Sequence, residues 1–267
     1  MCEAAIHAMG TDDTPLLYSP RRTWSGLTHP GLVRQKNEDR YCGVNAIGLF
    51  AVADGMGGGP EGDFAARLVL DTVRGTLEQV SRTWAPRAAT SERALCFFRS
   101  IVHRTHDDLC CVGQADPAKT GMGTTFAGIW LAGRKAIVAH VGDSRVYRWR
   151  AKHLLQLTCD HTAVQLLFRN GVIGEADLAG HPYRHILSQV LGGQQDPVVD
   201  GCIDVPERGD VYLLTTDGVH DVIGSDEIAK VLLAEPEPEG LVAALIAKAN
   251  AAGGPDNCTA VAARLEE

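Results

Sequence analysis

Five acidic residues stand out for their neighbours. Asp54, Asp217 and Asp256 sit beside Gly or Asn in ADGMGGG, TTDGVHD and GGPDNCT, and Glu38 and Asp39 form an acidic pair in RQKNEDR. Carboxylate oxygens are the preferred ligands of hard cations such as Mg²⁺ and Mn²⁺. A neighbouring Gly lets a backbone carbonyl or a water approach the same ion. Acidic groups brought together repel one another unless a cation neutralises them. One Asp-Gly pair is an ordinary turn; the argument for an ion rests on the whole set with its flanking residues.

These acids must be carried by elements that end near one another. Gly48 to Ala53 (GLFAVA) is a short apolar run, as a buried strand would be, and it ends at Asp54. Val211 to Thr216 (VYLLTT) is a second such strand, ending at Asp217. Residues 60–80 predict a helix with Phe64, Leu68, Leu70 and Val73 as its apolar stripe, and residues 91–111 predict another. Segments 124–131, 135–141 and 144–150 are β-rich and separated by Gly or charged turns. Strands so closely spaced pair antiparallel, because parallel neighbours need long crossovers. Residues 159–195, with Gly171, Gly174, Gly180 and Pro182, leave the main sheet as an excursion. Helices over 225–233 and 238–251 and a last strand over 258–264 complete an α+β class with helices over sheets.

The bulk properties narrow the function. A chain of 267 residues with 45% hydrophobic residues suits one large domain. With 25 Lys and Arg against 33 Asp and Glu the net charge is −8, which argues against nucleic-acid partners. The 8 Cys show no CxxC spacing and no accompanying His cluster, so we expect reduced, mostly buried thiols. The N-terminus lacks the basic start and apolar run of a signal peptide, and no stretch reaches the ~18 apolar residues of a membrane span. A cytoplasmic protein with no membrane partner is the expectation.

Eight pieces, in order, carry a resemblance. They are THPGLVRQKNEDR (28–40), ADGMGG (53–58), GMGTT (121–125), HVGDSR (140–145), LTCDHT (157–162), LSQVLGG (187–193), DGVHD (217–221) and GGPDNCT (253–259). Together they resemble the metal-dependent protein phosphatases, the type 2C Ser/Thr phosphatases, in their bacterial form. The resemblance covers about residues 22–266. It leaves residues 1–21 as an N-terminal extension and makes 159–195 a flap within one phosphatase domain.

The resemblance implies a β-sandwich of two antiparallel sheets flanked by helices, four layers in all, with two Mn²⁺ or Mg²⁺ ions at one end. By position, Asp54 would bridge the two ions and the Gly55 carbonyl would ligate the first. Asp217 and Asp256 would hold the second, with Glu38 acting there directly or through water and Asp39 supporting that shell. Asp143, with Asp217, would offer a third, weaker site. Arg34 would clamp the substrate phosphate, and Asn257 would orient Asp256 or a water. The implied reaction is two-metal hydrolysis of phosphoserine and phosphothreonine on proteins by a metal-bound hydroxide, opposing a Ser/Thr kinase, in a monomer. A catalytically silent member would have lost metal carboxylates, and Asp54, Asp217 and Asp256 are all present. Met56 stands where some relatives carry a His proposed as the acid for the leaving group; Met has no proton to give.

Overall fold

The computed structural model describes residues 21–57, 60–83, 90–178 and 180–266. Nearly all of the expected N-terminal extension, together with Gly58 of the second motif, lies outside the described residues.

Two five-stranded antiparallel sheets form the middle of the molecule. The first runs β1(Arg22–His29), β12(Cys258–Leu265), β11(Val211–Thr215), β8(Arg145–Arg150), β9(His153–Gln156). The second runs β10(Asp200–Asp204), β7(Lys135–Val141), β6(Phe126–Ala132), β3(Leu49–Ala53), β2(Arg40–Val44). A short pair, β4(Gly55–Met56) with β5(Gly123–Thr124), sits beyond the end of β3. Helices α1(Pro60–Thr83) and α2(Ser91–Ala115) cover the second sheet; α4(Asp217–Ala234) and α5(Pro238–Ala251) cover the first. The short α3(Ala163–Arg169) lies in the expected flap. The antiparallel sandwich with helices on both outer faces is the architecture expected from the motifs.

Three apolar layers explain why the central strands show no polar alternation. In β11, Val211 and Leu213 face α4 and α5 with Leu241, Leu245 and Ile246, while Tyr212 and Leu214, with Val261 of the neighbouring β12, face Phe50 and Ile129 of the other sheet. In β3, Leu49 and Ala51 meet Val69, Val73 and Phe98 from α1 and α2, while Phe50 and Val52 fill the middle of the sandwich. A strand buried on both faces reads as a continuous apolar run. Each fully buried Leu, Val or Phe is worth about 1.5–3 kcal/mol of transfer free energy, so these layers hold the strand ends, and thus the acids on them, in register.

One expectation needs an addition and one a correction. The helix expected over 225–233 forms the second part of α4, and a short helical segment opening at Asp217 precedes it, the two being broken at Gly224 (φ 76°, ψ 161°). The thiols are free, but among the described Cys residues only Cys258 is buried; Cys96 and Cys111 are exposed on α2, whose inward face is taken by Phe98, Ile101 and Val102.

Candidate metal centre

Asp54 leaves the end of β3 under tight backbone control. Its N–H donates to Thr125 Oγ1 (3.0 Å), and its carbonyl accepts from Thr125 N (2.9 Å) and Thr124 Oγ1 (2.8 Å). Gly55 follows because nothing larger fits: a Cβ there would stand 2.1 Å from the Gly62 carbonyl oxygen and 2.8 Å from that of Glu38. The β2 approach brings Glu38 and Asp39 beside it. Asp39 is 1% exposed, and its Oδ2 accepts from Thr216 Oγ1 and Thr259 Oγ1, each at 2.7 Å. Its Oδ1 is buried with no hydrogen-bond donor.

The other sheet supplies the facing acids. Asp217 opens α4 directly after β11, where the positive end of the helix dipole favours an acidic side chain. Asp143 sits on the turn between β7 and β8 and is buried. Asp256 lies between α5 and β12; its Oδ1 accepts from Asn257 N (2.8 Å) and its Oδ2 from Arg34 Nη2 (2.7 Å). Asn257 meets Asp256 through its main-chain N–H, and its side chain has other partners. The amide bonds Pro30 O, Lys36 O and Glu38 N at 3.0, 2.8 and 2.8 Å, so it fixes the loop that carries Arg34 and Glu38.

The electrostatics show what the cluster lacks. Asp54 titrates well above the usual carboxylate range, because burial is followed by repulsion from Asp39, Asp217, Asp143 and Asp256. Asp217 is raised for the same reasons, with Asp143, Asp256, Asp39 and Asp221 as neighbours. Asp143 is pushed up to about 7 by burial and by Asp160 and Asp221. Asp39 is raised to about 6, again chiefly by burial, although its two Thr donors pull the other way. Arg34 is raised first by its bond to Asp256, and it also feels Asp217 and Asp54. Mutually repelling carboxylates around an undonated buried oxygen fit a divalent hard cation, and the all-oxygen donor set suits Mg²⁺ or Mn²⁺.

The hydroxyls that hold Asp39 come from far along the chain. Thr216 and Thr259 hold Asp39 from 177 and 220 positions away, which no local pattern announces. Arg145 fixes a loop, with its Nε and Nη2 on Asp160 at 2.9 and 2.6 Å and its Nη1 on Tyr147 Oη at 3.1 Å. His220 is buried, and its Nδ1 bonds Thr215 Oγ1 at 2.8 Å.

This arrangement, two sheets presenting acids at one end of a sandwich, matches known proteins. Residues 31–167 match the family model described as protein phosphatase 2C. The chain belongs to the protein phosphatase 2C family. It is 30% identical over 237 residues to the serine/threonine phosphatase stp of Listeria monocytogenes, covering 87% of this chain and 91% of that one. The crystal structure of the Mycobacterium tuberculosis serine/threonine phosphatase PstP/Ppp superposes with a TM-score of 0.81 at 32% identity, covering 92% of this chain and 99% of that one. A structure of a PstP catalytic domain in complex with 2 manganese ions superposes with a TM-score of 0.77 at 30% identity, covering 92% and 99%. In this protein phosphatase 2C member the fold brings Asp39, Asp143, Asp217 and Asp256 within electrostatic reach of Asp54.

Proposed function

We propose that this chain hydrolyses phosphoserine and phosphothreonine on other proteins with the help of two Mn²⁺ or Mg²⁺ ions, acting as a cytoplasmic monomer that opposes a Ser/Thr kinase. The reading rests on one observation above the rest. A guanidinium, Arg34, is anchored on the carboxylate cluster at 2.7 Å while its side chain stays 57% exposed. A planar fork fixed at the mouth of a cation site is suited to hold two oxygens of a phosphate monoester. The relatives' designations as Ser/Thr phosphatases and the manganese-bound structure support it. Among the described residues no helix is long and apolar enough to cross a membrane.

The residues divide the work. Asp54, Asp217 and Asp256, with the Gly55 carbonyl and Glu38, would hold the two ions; Asp143 with Asp217 would hold a weaker third. Bound there, divalent ions lower the pKa of water toward neutrality and offset the charge of a phosphoryl group. Asp39 backs this shell as an acceptor locked by Thr216 and Thr259. Arg34 orients the phosphate, and Asn257 keeps the Arg34 loop in place. Met56, in β4, supplies no proton to the leaving oxygen.

Two assays test this reading. Phosphate release from phosphothreonine peptides in Mn²⁺ should be readily measured; none at any metal concentration would mark a silent member. Asp217→Asn should then trap phosphoproteins from a lysate of the source cells. If none of those captured is a kinase target, the opposing-kinase reading is wrong.

A further inference from the structure

Behind the Asp143 turn lies a second polar group that the metal centre does not use. His140 on β7, His161 after β9 and Asp200 on β10 each offer an atom within 4.8 Å of the others. His140 and Asp200 are register partners across β7 and β10, and the two imidazoles lie tilted with centroids 4.7 Å apart. Both histidines are almost fully buried.

The proton positions can be read from the partners. Gly142 N–H faces His161 Nδ1 at 3.3 Å, and a backbone N–H can only donate, so Nδ1 must present its lone pair. Nε2 therefore carries the proton and donates it to Asp200 Oδ2 at 3.2 Å. The main chain doubles the grip: His161 N–H donates to Gly142 O at 2.9 Å, and His161 O accepts from Ser188 N–H at 2.8 Å in the flap. His140 Nε2 donates to Cys159 O at 2.9 Å, which leaves its Nδ1 bare and without a partner.

The spacing of the three side chains is that of a metal site, but the tautomers argue otherwise. A metal on His161 Nε2 would move the proton to Nδ1, against the Gly142 N–H. The turn itself has little freedom to respond. Gly142 has φ +99°, and a Cβ there would stand 2.6 Å from Thr125 Cγ2. Thr125 in turn binds Asp54 N and Ser144 Oγ. A shift at Gly142 is therefore passed to Asp143 on one side and toward Asp54 on the other.

We propose that Asp200 and His161 are positioning residues for Asp143: Asp200 holds the His161 proton on Nε2, so that Nδ1 fastens the Gly142 N–H and sets where the Asp143 carboxylate enters the metal centre. The proposal rests on the reading of Asp143 as a metal-site acid. Its structural half stands or falls without that reading. An outer partner of this kind is typically worth 10–100-fold in metal affinity.

The test uses the full chain and four variants: Asp200→Ala, Asp200→Asn, Asp143→Asn and the double variant Asp143→Asn with Asp200→Ala. Imidazole ¹⁵N spectra of the metal-free protein should show His161 protonated on Nε2 alone. In Asp200→Ala the two tautomers should mix, and Gly142 amide exchange should quicken about tenfold. Asp200→Asn keeps a carbonyl acceptor and should restore both. Calorimetric Mn²⁺ titration should show the binding step lost in Asp143→Asn weakened about tenfold in Asp200→Ala, with no further loss when the two changes are combined. A proton on Nδ1 in the unaltered protein overturns the proposal. So does an Asp200→Ala protein with unchanged tautomer and Mn²⁺ titration, or Zn²⁺ binding that removes the Nε2 proton. If the spectra agree but no Asp143-dependent Mn²⁺ step exists, the positioning role is refuted and only the brace remains. Absent phosphatase activity with all of these results intact would instead count against the proposed function.

Discussion

Replacing Asp143 by Asn should make the metal-free protein more stable, and more so at high pH. Burial and the neighbouring Asp160 and Asp221 raise this carboxyl from 3.8 to about 7. The folded chain therefore holds the proton more tightly than the unfolded chain, so folding stability falls as pH rises through the window between 3.8 and about 7. At 1.36 kcal/mol per pH unit, the ceiling on the cost is about 1.6 kcal/mol at pH 5 and on the order of 4 kcal/mol at pH 8. Asn is neutral at both values and nearly the same size, so the variant avoids that cost. Urea unfolding in excess EDTA at pH 5 and pH 8 reads the difference. The expected gain is larger at pH 8 by roughly 2–3 kcal/mol, and saturating Mn²⁺ should shrink or reverse it. An equal gain at both pH values, or a loss at pH 8 in chelator, would refute the claim that burial and its acidic neighbours Asp160 and Asp221 disfavour the charged form of Asp143 in the absence of a cation.

Other perturbations touch separate parts of the site. Arg34→Ala should cost about 2–4 kcal/mol in kcat/KM through the lost phosphate contact. Because Arg34 binds Asp256 directly, Mn²⁺ affinity should also shift, and calorimetry showing no shift would contradict the 2.7 Å pair. Asn257→Ala leaves two carbonyls and the Glu38 N–H without their partner, so denaturant unfolding should show a loss of roughly 2–4 kcal/mol; under 0.5 would show the loop is held otherwise. With Met56, which has no proton to give, next to Gly55 in β4, kcat should depend steeply on leaving-group pKa across a phosphate-ester series, and Met56→His should flatten that slope. A native slope already shallow would mean another group acts as the acid.

Which parts of this were legible in the sequence follows from range. Each metal-site acid sits beside a Gly, an Asn or another acid, and Asp54 and Asp217 follow strands whose apolar runs are visible locally. The continuous runs of β3 and β11 read as strands because both faces are buried. Strands β1, β2 and β10 escaped notice because their patterns are mixed. Arg40–Val44 and Asp200–Asp204 lie at sheet edges, half-exposed along their length. The start of α4 at Asp217 was hidden by Gly224, which interrupts the helix. Asp39 and Asn257 were legible as supports, but the groups that hold the supports were not. Thr216 and Thr259 on Asp39, and Asp200 on His161, are partners only once strands distant in sequence are stacked.

The central claim is that these carboxylates gather divalent cations for phosphate-ester hydrolysis. The measurement that addresses it most directly is phosphate release from a phosphothreonine peptide during a Mn²⁺ titration of the EDTA-stripped chain, with bound metal counted in parallel, for the native protein and Asp217→Asn. The expected result is no release when stripped, release that rises as two ions bind, and a loss of several orders of magnitude in kcat for the variant. Full turnover by the stripped protein with metal loss verified, or near-normal turnover by Asp217→Asn at limiting Mn²⁺, would contradict it.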